Sequence, residues 1–217
     1  MDLIIFDLDG TLVDSRQDIA TSVNELLTRL GRPELPSEQV FDFIGNGVRR
    51  LLERALGESA ASDELDQAVR LYLQIYGRRL LETTSAYPGV CEALAELQAL
   101  QTAPRMAVLT NKPTKESLEV LEGLDLMRYF DQVHGGDSFP RRKPDPIGAD
   151  ALIENTGARR ELTLMVGDSR VDYETALNAR IRVSLVTYGI GAKEVQALSP
   201  DYFIDDMREL LPIVGPE

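Results

Sequence analysis

Leu3-Ile4-Ile5-Phe6-Asp7-Leu8-Asp9-Gly10-Thr11-Leu12-Val13-Asp14 is the stretch on which the fold of this chain turns. A short apolar run, the pattern of a strand buried on both faces, stops abruptly at two carboxylates and a glycine. Side chains alternate across an extended backbone, so Asp7 and Asp9 leave the same side of the strand end and repel each other unless a counter-charge lies between them. A divalent cation is the simplest such charge. Hard cations prefer oxygen ligands, and Gly10 lets the backbone bend sharply enough to present a carbonyl beside the carboxylates. The same residues carry a second reading: Asp-Gly is a good hairpin turn, so Ile4 to Leu8 and Thr11 to Val13 can be two strands joined by Asp9-Gly10. An EF-hand loop does not fit, because its glycine follows three alternating oxygen-bearing positions, whereas Gly10 comes right after the second aspartate.

Bulk properties exclude several classes. The 217 residues suffice for one large domain, or for a core domain carrying a smaller one. At 43% hydrophobic and 27% charged the chain is globular, neither disordered nor membrane-embedded. A formal charge of −13 argues against a nucleic-acid partner, whose binding needs a cationic surface. Any anionic ligand must therefore find a metal ion or a specific Lys or Arg. Cys91 is the only cysteine, which excludes an intrachain disulfide, and His134 is the only histidine, which excludes a multi-histidine zinc site. The first strand leaves no room for a signal peptide, and no apolar run approaches the roughly 18 residues of a membrane span. The expected setting is cytoplasmic, with no membrane partner.

Outward from the opening strand, Ser15 is placed to cap a helix carrying Asp18 near its positive end and Ile19, Val23, Leu26, Leu27 and Leu30 at helical spacing. Gly31 and Pro33 stop it. A second helical segment runs from Ser37 through Val40 to Phe43-Ile44 and is broken by Gly45-Asn46-Gly47; a third carries Leu51, Leu52, Ala55 and Leu56 up to Gly57. Ser62 opens a longer helix whose stripe is Leu65, Val69, Tyr72, Leu73, Tyr76 and Leu80. Residues 15–84 thus read as an all-helical insert. From Pro88-Gly89 onward, helices (Val90 to Leu100, Thr114 to Glu122, Pro146 to Asn155, Val171 to Ala179, Met207 to Leu211) alternate with strands at Met106 to Leu109, Gln132 to His134, Leu162 to Val166, Val183 to Thr187 and Tyr202 to Ile204. This alternation implies right-handed crossovers and an α/β, Rossmann-like parallel sheet, with sites beyond the carboxyl ends of its strands. Asp7 and Asp9, Thr110-Asn111 and Asp168 all end such strands, a convergence that a mere hairpin turn at Asp9-Gly10 does not predict.

Together these residues resemble the haloacid dehalogenase superfamily, specifically its phosphatases. Asp7-Leu8-Asp9-Gly10-Thr11 fits the first motif, Thr110 after Val108-Leu109 the second, Lys143 before Pro144 the third, and Gly167-Asp168-Ser169-Arg170-Val171-Asp172 the fourth. The resemblance covers essentially the whole chain, since the helical insert sits where this family places its cap. It implies a catalytic core formed by residues 1–14 and 85–217, with a cap over residues 15–84. Within the superfamily the chain is most similar to phosphoglycolate phosphatases, through Ile44-Gly45-Asn46-Gly47, Thr110-Asn111-Lys112-Pro113, His134-Gly135-Gly136-Asp137, Lys143-Pro144-Asp145-Pro146 and Thr187-Tyr188-Gly189.

The resemblance implies a role for each residue. Asp7 is the nucleophile; Mg²⁺ is held by Asp7, the backbone carbonyl of Asp9, and Asp168; Asp9 is the acid and base. Thr110 donates its hydroxyl and the Asn111 amide its N–H to a phosphoryl oxygen, while Lys143 neutralises developing charge. Asp172 holds a metal-bound water or another site residue. Gly45, Asn46 and Gly47 are expected to face the site, where two glycines permit close approach and their amides can bind an oxygen. Arg49 and Arg50 are candidates for meeting a substrate carboxylate, the Leu and Tyr stripe is expected to be cap core, and His134 and Cys91 are expected to be structural. The implied activity is Mg²⁺-dependent hydrolysis of a small phosphorylated metabolite, 2-phosphoglycolate first among them, by a monomer or homodimer. An inorganic pyrophosphatase, a sugar phosphatase or mutase, and a phosphoacceptor switch of the response-regulator kind remain as alternatives.

Overall fold

The computed structural model describes residues 1–57 and 62–215. In chain order the elements are β1 (Leu3–Phe6), β2 (Val13–Asp14), α1 (Arg16–Arg29), α2 (Ser37–Phe41), α3 (Val48–Leu56), α4 (Ser62–Tyr76), β3 (Ser85–Ala86), α5 (Val90–Ala99) and β4 (Arg105–Leu109). There follow α6 (Thr114–Gly123), β5 (Gln132–His134), α7 (Ile147–Thr156), β6 (Thr163–Gly167), α8 (Arg170–Ala179), β7 (Arg182–Val186), α9 (Ala192–Val195), β8 (Tyr202–Ile204) and α10 (Leu210–Val214). Six strands form one parallel sheet in the order β5-β4-β1-β6-β7-β8.

β1 lies inside this sheet, paired with β4 on one side and β6 on the other, and all four of its side chains are fully buried. Their alternation separates the two layers. Ile4 and Phe6 join the core that also holds side chains of α1, α4 and α5, whereas Leu3 and Ile5 face Leu152 of α7 and Ala176 of α8. Burying each of these large side chains contributes about 1.5–3 kcal/mol, which fixes the register, because a slip by one residue would exchange the two faces. That register sets Phe6 opposite both Val108 and Val166, so the chain leaves β1, β4 and β6 at one edge.

The hairpin reading of Asp9-Gly10 is overturned for the same reason. Both hydrogen-bonding edges of β1 are taken by β4 and β6, and Val13–Asp14 instead pairs antiparallel with Ser85–Ala86. This two-strand ribbon brings together the two crossings between the sheet and the helices of residues 16–76. Beside it, the Asp18 carboxylate accepts from the backbone N–H groups of Thr83 (3.0 Å) and Thr84 (2.9 Å) and from both threonine hydroxyls. Burial pushes the Asp18 carboxyl up, but these hydrogen bonds prevail and hold it below its ordinary value.

Other departures are local. The apolar stripe of α4 outlasts the helix: Tyr76 is its last residue, and Leu80 lies in the following turn yet remains 6% exposed. α2 stops at Phe41, with Phe43 and Ile44 in turns, and the segment expected from Met207 to Leu211 is a 3₁₀ turn (Met207–Glu209) running into α10. No helix among the described residues is long and apolar enough to cross a membrane.

Candidate active site

The residues following β1, β4 and β6 meet at the carboxyl edge of the sheet. Side-chain oxygens of Asp7, Asp168 and Asp172 lie within 4.8 Å of one another, all three residues buried. Lys143 enters from the loop before α7. Its ammonium is buried, 2.6 Å from Asp172 Oδ1 and 2.9 Å from Asp7 Oδ1. One ammonium thus sits against two carboxylates.

Asp172 occupies the first turn of α8, where Ser169 and Asp172 form a reciprocal capping box. Its Oδ2 accepts from Ser169 Oγ (2.6 Å) and from the backbone N–H groups of Ser169 (3.1 Å) and Asp168 (3.2 Å). Both of its oxygens are thus engaged in holding Lys143 and the Asp168-Ser169 backbone. Asp168 is gripped by glycine backbone: Gly191 N–H donates to its Oδ2 at 2.9 Å. Gly10, at φ +91°, lies so close that a Cβ there would fall 2.1 Å from the same oxygen.

Three carboxylates share one ammonium. Burial first, and then the neighbouring Asp172 charge, push the Asp7 carboxyl up to about 6 against the pull of Lys143. Burial, Asp172 and Asp7 together raise Asp168 well above the ordinary carboxylate range. For Lys143 burial works the other way, but Asp172 and Asp7 prevail and keep it above its usual value. The cluster therefore lacks positive charge. A hard dication fits it, because the donors are three buried carboxylates gathered around a single ammonium.

A second group surrounds Asp9. Its carboxylate accepts from Ser15 Oγ at 2.6 Å and from Lys112 Nζ at 3.0 and 3.2 Å, and Lys112 also donates to the Tyr76 hydroxyl. The Lys112 ammonium lies 4.6 Å from the centre of the Tyr76 ring. Ser15 therefore does not cap α1 with its side chain; the hydroxyl turns to Asp9 instead. Lys112 had no assigned role in the sequence. Its signals are its place in the Thr110-Asn111-Lys112-Pro113 motif and its position two residues after Thr110 at a strand end, and its partner Tyr76 lies 36 residues away in the helical insertion.

Gly45-Asn46-Gly47 lies against this edge with its carbonyls, rather than its amides, engaged. The Asn111 side-chain NH₂ donates to the carbonyls of Gly45 (3.0 Å) and Lys143 (3.1 Å), and Arg142 donates to the Asn46 carbonyl at 3.4 Å. Gly47, at φ +82°, admits no Cβ without displacing Arg142, whose Nη1 would then be 2.2 Å away. Gly45 and Gly47 line one cavity with Asp7, Asp9, Thr110 and Asn111, while Asn46 lines an adjoining depression with Asp168. The cavity holds about 490 Å³ of empty space, some of it open to solvent.

Not every expected residue belongs here. Arg49 pairs with Asp66 and Glu53, Arg50 donates to Glu53 at 3.0 Å, and neither is among the residues lining the cavity. The His134 ring packs 5.0 Å from that of Phe139, and Cys91 is an exposed residue of α5.

Comparison with known proteins follows this geometry. Residues 4–186 match the family described as haloacid dehalogenase-like hydrolase. A phosphoglycolate phosphatase of Vibrio parahaemolyticus is 39% identical, over 98% of this chain and 96% of that protein. Phosphoglycolate phosphatase 1 of Pseudomonas aeruginosa is 38% identical, over 97% of this chain and 78% of the relative. The crystal structure of a predicted phosphoglycolate phosphatase from Haemophilus somnus superposes with a TM-score of 0.92 at 34% identity, over 99% of this chain and 98% of the other.

Proposed function

The chain belongs to the haloacid dehalogenase-like hydrolases and is a phosphatase, and from that premise we propose that it is a cytoplasmic, Mg²⁺-dependent enzyme that hydrolyses 2-phosphoglycolate to glycolate and phosphate through an aspartyl phosphate on Asp7. The observation that carries the chemistry is the buried cluster of Asp7, Asp168 and Asp172 around Lys143, beside a cavity that Asp7 and Asp9 both line. The substrate reading is supported by the names of the relatives.

Hydrolysis of a phosphate monoester is extremely slow unaided, and a covalent intermediate divides it into two easier displacements. In the first, an Asp7 oxygen bonds to phosphorus as the bond to the ester oxygen breaks, and Asp9 gives that oxygen its proton. In the second, Asp9 takes a proton from water as the water oxygen attacks the phosphorus of the acyl phosphate, which frees Asp7. Asp9 can serve both steps because it remains outside the covalent bond. Its tie to Ser15 and Lys112 keeps it pointed into the cavity.

The residues most suited to hold Mg²⁺ are Asp7, Asp168 and the backbone carbonyl of Asp9; when bound, the ion supplies the positive charge that offsets repulsion between the carboxylates and an incoming phosphate. Lys143 neutralises charge on the transferred group, and Asp172 keeps it in place. Thr110 Oγ1 accepts from Lys112 N–H at 3.2 Å and so keeps its own proton for a phosphoryl oxygen. The side-chain NH₂ of Asn111 already serves the carbonyls of Gly45 and Lys143, which leaves its backbone N–H for that task. Residues 15–84 act as a cap that excludes water and reads the leaving group, over a core of residues 1–14 and 85–217.

A panel of small phosphates at equal concentration, with and without Mg²⁺, tests this reading. The expected result is multiple turnovers, Mg²⁺ dependence and a preference for 2-phosphoglycolate. A preference for pyrophosphate or a hexose phosphate overturns the substrate, and a single turnover per chain points instead to a phosphoacceptor switch.

A further inference from the structure

Away from Asp7 the cavity wall is largely apolar, with Ile44, Val48 and Leu51 among its residues, and Lys112 is the one cationic side chain among the described residues lining it. The Lys112 side chain is only 3% exposed. A buried ammonium is destabilising unless paired, and here it is paired with Asp9 of the sheet edge and with the Tyr76 hydroxyl of α4. Tyr76 accepts from Lys112, so its own O–H proton is left to give to another acceptor. Burial holds that phenol protonated at every ordinary pH. One neutral donor and one ammonium thus adjoin each other in an otherwise apolar wall, a pair suited to a carboxylate.

We propose that Lys112 and Tyr76 form the specificity subsite for a negatively charged leaving group, whose carboxylate is attached directly to the carbon bearing the ester oxygen. This rests on the phosphatase reading with Asp9 as the acid. An ester oxygen taking a proton from Asp9 lies about 2.7 Å from that carboxyl group. Lys112 Nζ lies 3.0 Å from the Asp9 carboxylate, so the ammonium and the ester oxygen are at most about 6 Å apart. In an oxyacetate the carboxylate oxygens lie about 3 Å from the ester oxygen by ordinary bond lengths. They can thus span the gap to Lys112 at ion-pair distance, with the carboxylate carbon joined directly to the carbon that bears the ester oxygen. Because Lys112 follows β4 and Tyr76 ends α4, the subsite is complete only while the helical insertion rests on the sheet edge as it does here.

The test compares kcat/KM for 2-phosphoglycolate with that for 2-hydroxyethyl phosphate, which has the same length and lacks the carboxylate, in the Mg²⁺-loaded wild type, K112M and Y76F. The wild type is expected to favour the acid. K112M is expected to lower that preference at least tenfold, chiefly through KM for the acid, and Y76F to lower it several-fold. Equal losses on both esters in K112M mean that Lys112 only supports Asp9, and they overturn the proposal, as does a wild type without preference. Should K112M fail to fold, an unchanged preference in Y76F overturns it equally. A wild type that does not turn over 2-phosphoglycolate defeats the proposed substrate alone; the subsite is then scored in the same way on phospholactate and its alcohol counterpart.

Discussion

The phosphoryl end of the cavity and its leaving-group end differ in where their side chains come from and in how their charge is balanced. At the first, Asp7, Asp168, Asp172 and Lys143 come from the sheet, its connecting loops and the first turn of α8, and three carboxylates surround one ammonium. At the second, Asp9, Ser15, Lys112 and Tyr76 join the sheet to the helical insertion, and one carboxylate meets one ammonium with two hydroxyls completing the set. One end is assembled by strand register and left with excess negative charge, so it favours a cation. The other is neutral as it stands, and it is made only when two parts of the chain meet. In the proposed mechanism, chemistry at phosphorus is thus fixed by the core, while selection among leaving groups depends on the helical insertion resting on it.

Substitutions at the two ends sharpen this contrast. Asp7→Asn is expected to have the largest effect, a loss of turnover exceeding about 10⁴-fold with circular dichroism unchanged, because a neutral amide cannot form the aspartyl phosphate. Wild-type turnover in a preparation free of wild-type enzyme removes Asp7 from the mechanism. Asp9→Asn, at the other end, is expected to slow hydrolysis by about 10²–10⁴-fold. Since both steps need its proton, trapped phosphoenzyme should be visible by mass spectrometry; an unchanged rate shows that Asp9 plays no acid–base part.

The difference between the ends also explains what the sequence made legible. Asp7, Thr110 and Asp168 could be placed together because each directly follows an apolar run, and parallel strands bring their carboxyl ends to one edge. Lys143 was legible only through its resemblance to a motif, since its loop has no periodicity to place it. At the leaving-group end only Asp9 was legible in its role. Ser15 sits where a helix cap is expected, and only the fold shows its hydroxyl turned to Asp9. Lys112 and Tyr76 are joined by tertiary packing across 36 residues, and Tyr76 read simply as one member of an apolar stripe. Arg49 and Arg50 drew attention as cations, yet both pair with acidic neighbours in the helical insertion. Asp18 likewise read as a favourable charge at a helix start, whereas it ties α1 to Thr83 and Thr84.

The smallest expected effect is on stability, and it separates the over-charged end from the balanced one. In metal-free protein the Asp7 carboxyl is raised from 3.8 to about 6, chiefly by burial. Between those values the folded chain binds more protons than the unfolded chain, so the slope of unfolding free energy against pH is negative. Stability from this group is therefore full below about pH 4, is lost as pH rises to about 6, and is level above it. Asp168 is displaced in the same direction. Mg²⁺ requires ionised carboxylates, so its stabilisation should grow over the same interval, reaching about 2.7 kcal/mol at a hundredfold excess over Kd. Melting temperatures with and without Mg²⁺ should then differ little near pH 4 and by several degrees above pH 6. Asp7→Asn should flatten both trends, and without metal at pH 7 it should melt above the wild type, because it removes a buried charge that has no adequate partner. A Mg²⁺ increment that is the same at every pH, or that survives intact in Asp7→Asn, places the ion somewhere other than this cluster.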